Sequence, residues 1–263
     1  MYDFAYHRPT SVADAVKLLG DSEAKALAGG QTLIPTLKQR LAQPSALIDL
    51  GGIAELKGIK VDGKTVTIGA GTTHAEVAAS ADVKKAIPAL ITLAADIGDV
   101  QVRHYGTIGG SIANADPAAD YPAAVVALGA TIKTNKREIK ADEFFKGLFT
   151  TALADGEIIV SVSFPVPEKA AYVKFPQPAS RFAMVGVFIA KTSSGVRVAV
   201  TGAGASVFRV SAMEQALTKS FTPDAVATIA VDGKDLNEDI HASRAYRAHL
   251  VTVIAKRAVA AAG

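Results

Sequence analysis

The sequence predicts an α+β fold in three successive units. Three observations predict it. Over the first fifty residues, short β-prone runs alternate with runs of helical spacing. The middle of the chain is dominated by strands with apolar–polar alternation, among them a hairpin. After the prolines of PVP at 165–167, paired strands and helices resume. A length of 263 residues suits two modest domains, or one large domain with an appendage. An apolar share of 49% is enough for a real core and argues against disorder.

The elements follow in order. Residues 2–6 are a short β-prone run. Ser11 precedes VADAVKLL, and Asp14 stands three residues after it, a start that resembles a capping box. Residues 25–28 read as a strand, turned by Gly29-Gly30. TLIPTLKQRLA at 32–42 has apolar residues at helical spacing, with Pro35 in its first turns. ALIDL at 46–50 is another strand, which completes a βαβαβ-like unit.

The texture changes at Leu56. LKGIKVDGKTVTIGAG alternates as two strands joined by a tight Asp62-Gly63 turn. Residues 74–97 are alanine-rich and mostly helical, with a break near Pro88. Residues 122–128 read as a helix, 130–134 as a strand, and 155–164 as a strong alternating strand. Beyond PVP, residues 183–192 and 196–203 read as paired strands. Helices are expected over 211–217 and 243–262. The chain has no convincing internal repeat.

Composition excludes several function classes. The formal charge is +3, and the charges are interspersed. No run of like charge could track a phosphate backbone, so nucleic acid is not an expected partner. The chain has no cysteine. That excludes disulfides, thiolate catalysis and cysteine-held zinc or iron–sulfur sites within it, and it fits a reducing cytoplasm. MYDFAYHRPTSVADAV carries no apolar h-region, so no secretory signal is expected. The longest apolar runs, such as AAVVAL at 123–128, are too short to span a bilayer, so no transmembrane segment is expected.

Several motifs dissolve on inspection. Gly58-IKVD-Gly63-Lys64-Thr65 spells a phosphate-loop pattern. Such a loop must run from a strand into a helix, whereas here both flanks alternate as β. Gly69-Ala-Gly71 and Gly202-Ala-Gly204 lack the third glycine of a dinucleotide fingerprint. Gly109-Gly110-Ser111-Ile112-Ala113 lacks the last glycine of a nucleophile elbow. The histidines at 7, 74, 104, 241 and 249 show no metal spacing and are expected at the surface or at helix ends. His104 is kept in view because it borders a glycine-rich stretch.

Two segments remain. Ala28-Gly29-Gly30-Gln31-Thr32 sits between a strand and a helix. Thr107-Ile108-Gly109-Gly110-Ser111 sits inside YGTIGGSIANADPAADYP at 105–122. Adjacent glycines let a backbone approach a ligand closely. Hydroxyl and amide side chains with free backbone N–H groups suit a pyrophosphate. Asn114 and Asp120 offer polar partners for a ribityl or ribose hydroxyl. Spacing alone fits two ordinary glycine turns equally well.

AGGQTLIPTLKQRLAQPSALIDL followed by YGTIGGSIANADPAADYP resembles the FAD-binding medium subunits of molybdenum hydroxylases. These include aerobic carbon monoxide dehydrogenases and bacterial xanthine dehydrogenases. YDFAYHRPTSVADAVKLL, GEIIVSVSFPVP and VKFPQPASRFAMVGVFIA extend the resemblance over nearly the whole chain. It implies a PCMH/vanillyl-alcohol-oxidase-type FAD-binding fold. Two α+β subdomains, 1–55 and 56–167, would hold the pyrophosphate between them, and a C-terminal α+β domain, 168–263, would complete the site. It also implies an oxidoreductase of three kinds of subunit. A large subunit with the molybdenum cofactor oxidises the substrate, and a small subunit holds two [2Fe–2S] clusters. The present chain would take the electrons on FAD and pass them to quinone, NAD, ferredoxin or oxygen. A dimer of heterotrimers in the cytoplasm is implied, with attachment to the inner face of the membrane through the complex as the alternative.

The resemblance also assigns residues. Ala28, Gly29, Gly30, Gln31, Thr32, Leu33, Ile34 and Pro35 would wrap the pyrophosphate, together with Thr107, Ile108, Gly109, Gly110 and Ser111. Asp120 would reach the sugar or ribityl chain, with Asn114 beside it. Ile97 and Ile159 would pack on the rings. Lys174 would offset negative charge on reduced flavin, and Phe182 would lie against the isoalloxazine. The alternatives are a surface lysine at 174 and a core phenylalanine at 182. Gln31 and Thr32 stand where relatives can show His or Asn and Ser, and both keep a polar donor. No catalytic residue and no metal ligand is assigned. Two other functions stay open: a stand-alone FAD oxidase or dehydrogenase, and an assembly subunit without cofactor.

Overall fold

The computed structural model describes residues 1–21 and 23–263. The N-terminal unit is a parallel sheet of three strands, β1 (Ala5–His7), β2 (Lys25–Leu27) and β3 (Ala46–Asp49), in the order β1-β3-β2. Helices α1 (Val12–Leu18) and α2 (Leu33–Lys38) make the crossovers. Ser11 caps α1 by accepting from the Asp14 N–H. α2 ends before the expected residue 42. Arg40 turns into left-handed backbone, with φ 59°. The N–H groups of Arg40 and Leu41 then donate back to Leu37 and Thr36, a Schellman closure that stops the helix.

The central unit opens with a hairpin of β4 (Ile59–Asp62) and β5 (Thr65–Gly69), Asp62 facing Thr65. The phosphate-loop spelling is therefore a β-turn. Six helices follow: α3 (His74–Ala79), α4 (Ala81–Ala86), α5 (Pro88–Ala95), α6 (Val100–Tyr105), α7 (Ile108–Asn114) and α8 (Tyr121–Ala127). The break at Pro88 is joined by a second at Ser80, whose hydroxyl caps α4 at the Val83 N–H. Next come β6 (Thr131–Thr134), β7 (Glu138–Lys140), α9 (Ala141–Phe144), a small hairpin of β8 (Phe145–Gly147) and β9 (Thr150–Thr151), and β10 (Ile159–Pro165). The antiparallel sheet runs β4-β5-β10-β6-β7.

β10 begins at Ile159, later than the alternation suggests, because the chain first turns Glu157 inward. Burial opposes charge on that carboxylate. Hydrogen bonds from Arg137, the Ala154 N–H and Thr134 outweigh burial and hold its pKa at about 2.

The C-terminal unit is an antiparallel sheet of β11 (Lys169–Pro176), β12 (Ala183–Thr192), β13 (Gly195–Thr201) and β14 (Phe208–Arg209), in that order. Helices α10 (Ser211–Lys219) and α11 (Arg244–Ala262) cover one face. β12 separates two cores. Its Phe188 and Ala190, with Tyr172 and Ala199, join the core of the central unit. Its Val185, Val187 and Ile189 join the core beneath α10 and α11. That is why AMVGVFIA is apolar throughout and does not alternate. Each large side chain so buried contributes about 1.5–3 kcal/mol. The C-terminal sheet is thus packed firmly onto the central unit, and its inner face is positioned to reach the loops of that unit. Among the described residues, no helix is long and apolar enough to cross a membrane.

Candidate functional site

The fold brings the two glycine segments together. One turns β2 into α2, and the other turns α6 into α7. A Cβ added to Gly29 would lie 2.0 Å from the carbonyl oxygen of Tyr105, and one on Gly110 would lie 3.6 Å from Cβ of Ala28. A Cβ on Gly109 would lie 2.5 Å from that of Ala70. The missing bulk is therefore required first by the protein's own backbone, which crosses itself here at contact distance. The crossing also sets residues 28–32 beside the first turn of α7.

The two segments offer different chemistry. In the first, the N–H groups of Gly29, Gly30, Gln31, Thr32 and Leu33 have no acceptor among the described residues. Gly30 has φ 69°, and Thr32 gives α2 no side-chain cap. Consecutive free donors on such a turn form a nest for an anion. In the second segment the expected free N–H groups are not found. Ile108 donates to Thr72 O at 3.1 Å, Gly109 to Ala70 O at 2.9 Å, and Ser111 to Thr107 O at 3.0 Å. Gly110 donates to the Thr107 hydroxyl at 3.1 Å, which makes Thr107 the N-cap of α7. What this segment still offers is side chains. Ser111 and Asn114 lie three residues apart, hence on one face of α7. Neither side chain makes a hydrogen bond among the described residues.

A second cluster surrounds Asp120. The Lys174 side chain is 1% exposed, so the surface-lysine alternative falls. Its Nζ lies 3.0 Å from Asp120 Oδ1 and 2.8 Å from the carbonyl oxygen of Asp96. The Tyr172 hydroxyl donates to the same Oδ1 at 2.5 Å. Asp120 Oδ2 has no hydrogen-bond partner among the described residues. Burial pushes the Asp120 carboxyl above its ordinary range, against the pull of Lys174 and the hydrogen bond from Tyr172. Asp96 precedes Ile97, so the cluster stands beside one of the apolar residues expected at the site. Ile97 is half-buried and Ile159 is a core side chain, and both pack in the central core.

Phe182 is 51% exposed, which rules out the core alternative. It lines a cavity of about 540 Å³ between the central and C-terminal units, with Asp116, Leu148, Gln177, Asn237 and Arg247 among its walls. Leu33, Ile34 and Pro35 lie in the first turn of α2. His74 opens α3, one of the helix-end positions expected for the histidines, and is buried there. Burial, then the nearby Arg103, holds its pKa down at about 4, so it is neutral. His104 is exposed, and its side chain makes no hydrogen bond among the described residues. No group of His, Asp and Glu among the described residues could hold a metal.

Tyr172 and Asp96 belong to no motif of the sequence. For Tyr172 a signal was present: it lies two residues before Lys174 on a strand, hence on the same face. The donors fit FAD as a class. Free N–H groups and small polar side chains suit a pyrophosphate, and a carboxylate oxygen with no partner suits a hydroxylated chain.

Comparison with known proteins agrees with this chemistry. Residues 2–167 match the family model described as the FAD binding domain in molybdopterin dehydrogenase. The chain is 37% identical to the carbon monoxide dehydrogenase medium chain of Hydrogenophaga pseudoflava, over 98% of this chain and 96% of that one. It is 35% identical to the glyceraldehyde dehydrogenase medium chain of Sulfolobus acidocaldarius, over 97% of each. A chain of quinoline 2-oxidoreductase from Pseudomonas putida 86 superposes with a TM-score of 0.91 at 30% identity, over 99% of this chain and 97% of that one.

Proposed function

This chain belongs to the family of FAD-binding domains of molybdopterin dehydrogenases, and from that premise we propose that it is the electron-transfer flavoprotein subunit of a molybdenum hydroxylase. The observation that carries the proposal is the crossing of the two glycine segments, where five N–H groups without an acceptor among the described residues stand beside the first turn of α7. Residues 29–33 hold the pyrophosphate by their N–H groups, with Ala28, Ile34 and Pro35 shaping the turn. Thr107, Ile108, Gly109 and Gly110 form the rigid floor against which that turn rests. Ser111 and Asn114 add side-chain donors. Asp120 receives a sugar or ribityl hydroxyl on Oδ2. Lys174 supplies the fixed positive charge of the site. Ile97, Ile159 and Phe182 supply apolar surface for the rings. FAD, when bound, supplies a carrier that takes up electrons and passes them on.

The relatives are named as medium chains, which supports partner subunits for this chain as well. We assign the molybdenum cofactor to a large subunit and two [2Fe–2S] clusters to a small one, in a dimer of heterotrimers located in the cytoplasm. Ranges 1–55, 56–167 and 168–263 each hold one of the three main sheets, which supports treating them as two FAD-binding subdomains and a C-terminal domain. The unused donors at the crossing favour a cofactor-binding role over a bare assembly role. His104, exposed and without a hydrogen-bond partner among the described residues, offers no poised base for a stand-alone oxidase.

The test is an absorption spectrum of the chain purified with its native partners, followed by heat release of the cofactor. Flavin bands together with iron–sulfur absorbance, and FAD in the supernatant, are the expected result. A folded, colourless complex that takes up no FAD would contradict the proposal.

A further inference from the structure

The loop that carries Asp120 is held by a row of side chains on the C-terminal sheet. Tyr172 and Lys174 lie two residues apart on β11 and point to the same face. Lys174 pairs with Gly186 on β12, and Gly186 pairs with Thr201 on β13. Tyr172, Lys174 and Thr201 all meet the 117–120 loop. The Thr201 hydroxyl lies 2.9 Å from Pro117 O and 2.6 Å from Ala119 O, and the Gly202 N–H donates to Pro117 O at 2.7 Å. Tyr172 and Lys174 both donate to Asp120 Oδ1, at 2.5 and 3.0 Å, and leave Oδ2 without a partner among the described residues.

The space for the tyrosine hydroxyl is reserved by a third residue. A Cβ on Gly186 would lie 2.5 Å from the Tyr172 hydroxyl oxygen and 2.9 Å from Cγ2 of Thr201. Any side chain there would push the hydroxyl off Asp120. The rotation of a carboxylate about its last bond is intrinsically soft. Two donors on one oxygen, both anchored to the same strand, remove that softness. The tyrosine can serve as a permanent donor, because burial and the neighbouring Asp120 raise its own pKa well above the ordinary range.

We propose that Tyr172 is a positioning residue for FAD: together with Lys174 it engages Oδ1 of Asp120, and so presents Oδ2 to a hydroxyl of the ribityl or ribose chain. This rests on the FAD assignment above and adds to it a residue that touches no cofactor. The predicted signature is an effect on FAD affinity that exists only while residue 120 is a carboxylate.

A double-mutant cycle tests it. Tyr172→Phe, Asp120→Ala and the double variant are purified with their partner subunits, stripped of flavin and titrated with FAD by flavin fluorescence. Tyr172→Phe is expected to raise the Kd about tenfold, the usual scale for a hydrogen bond to a charged group. In the Asp120→Ala background, which has no acceptor for the hydroxyl, the same change should alter Kd by less than about twofold. Thr201→Val, which loosens the loop without touching Asp120, should weaken binding equally in both backgrounds. An equal loss for Tyr172→Phe in both backgrounds would reduce the tyrosine to a structural role and overturn the proposal. So would an unchanged Kd in the native background. Should Tyr172→Phe fail to assemble, Gly186→Ala keeps the ring, displaces the hydroxyl and completes the same cycle. A native complex that binds no FAD would instead refute the assignment on which the proposal rests.

Discussion

Gly29→Ala is expected to strip FAD from the complex and to lower the stability of the chain by about 1–3 kcal/mol. The added Cβ would meet Tyr105 O at 2.0 Å, Tyr105 C at 2.6 Å and Gly106 Cα at 2.7 Å. All three are backbone atoms, so no rotamer change relieves the clash. The turn carrying the free N–H groups must then move away from α7, and the donors of the two segments part. Gly63→Ala is the control. Gly63 has φ 57° but nothing within 4 Å of its new Cβ, so it should cost about 1 kcal/mol in strain and leave FAD in place. Denaturant midpoints and FAD content per chain measure both effects. A yellow Gly29→Ala protein of native stability would mean that the crossing is not what holds the cofactor.

Lys174→Met is expected to be the costliest change in the Asp120 cluster, at about 3–5 kcal/mol near neutral pH. It leaves the Asp120 carboxylate buried with Tyr172 as its remaining donor among the described residues. The pH dependence has a definite sign. Burial already raises the Asp120 carboxyl, and the loss of Lys174 removes the largest pull in the other direction. The folded variant then binds a proton that the unfolded chain lacks, over the window between the ordinary carboxylate value and the raised one. Stability gained by that proton is present at low pH and lost as pH rises through the raised value. The gap between Lys174→Met and the native chain should therefore narrow as pH falls from about 8 to about 5. Urea midpoints across that range measure it. A gap that stays constant would mean that Asp120 does not carry the charge.

Much of this architecture was legible in the sequence because the signals are local. Ser11 with Asp14 announces α1, and Asp62-Gly63 between alternating runs announces the β4–β5 hairpin. The continuous apolar run of β12 marks a strand covered on both faces. Both glycine segments could be found, but not the reason for their glycines. That reason is the meeting of Gly29 with Tyr105 and of Gly109 with Ala70, contacts between residues far apart in the chain.

The same limit hid the acceptors of the α7 N–H groups. Thr72 and Ala70 supply them from another loop, so a segment that reads as a set of free donors is largely satisfied. Glu157 reads as one more residue of an alternating strand until Arg137 and Thr134, some twenty residues earlier, turn it inward. His74 reads as a histidine at a helix end, and it is one, but its burial against Tyr121 depends on tertiary packing. Lys174 could be located in the sequence, but its burial depends on Asp120 and Asp96 arriving from the central unit.

The most direct measurement is a crystal structure of the assembled complex with FAD bound. The account predicts pyrophosphate oxygens within hydrogen-bond distance of the N–H groups of residues 29–33 and of the Ser111 and Asn114 side chains. It also predicts a cofactor hydroxyl on Asp120 Oδ2. A pyrophosphate held elsewhere, with the donors of residues 29–33 still unused, would contradict it.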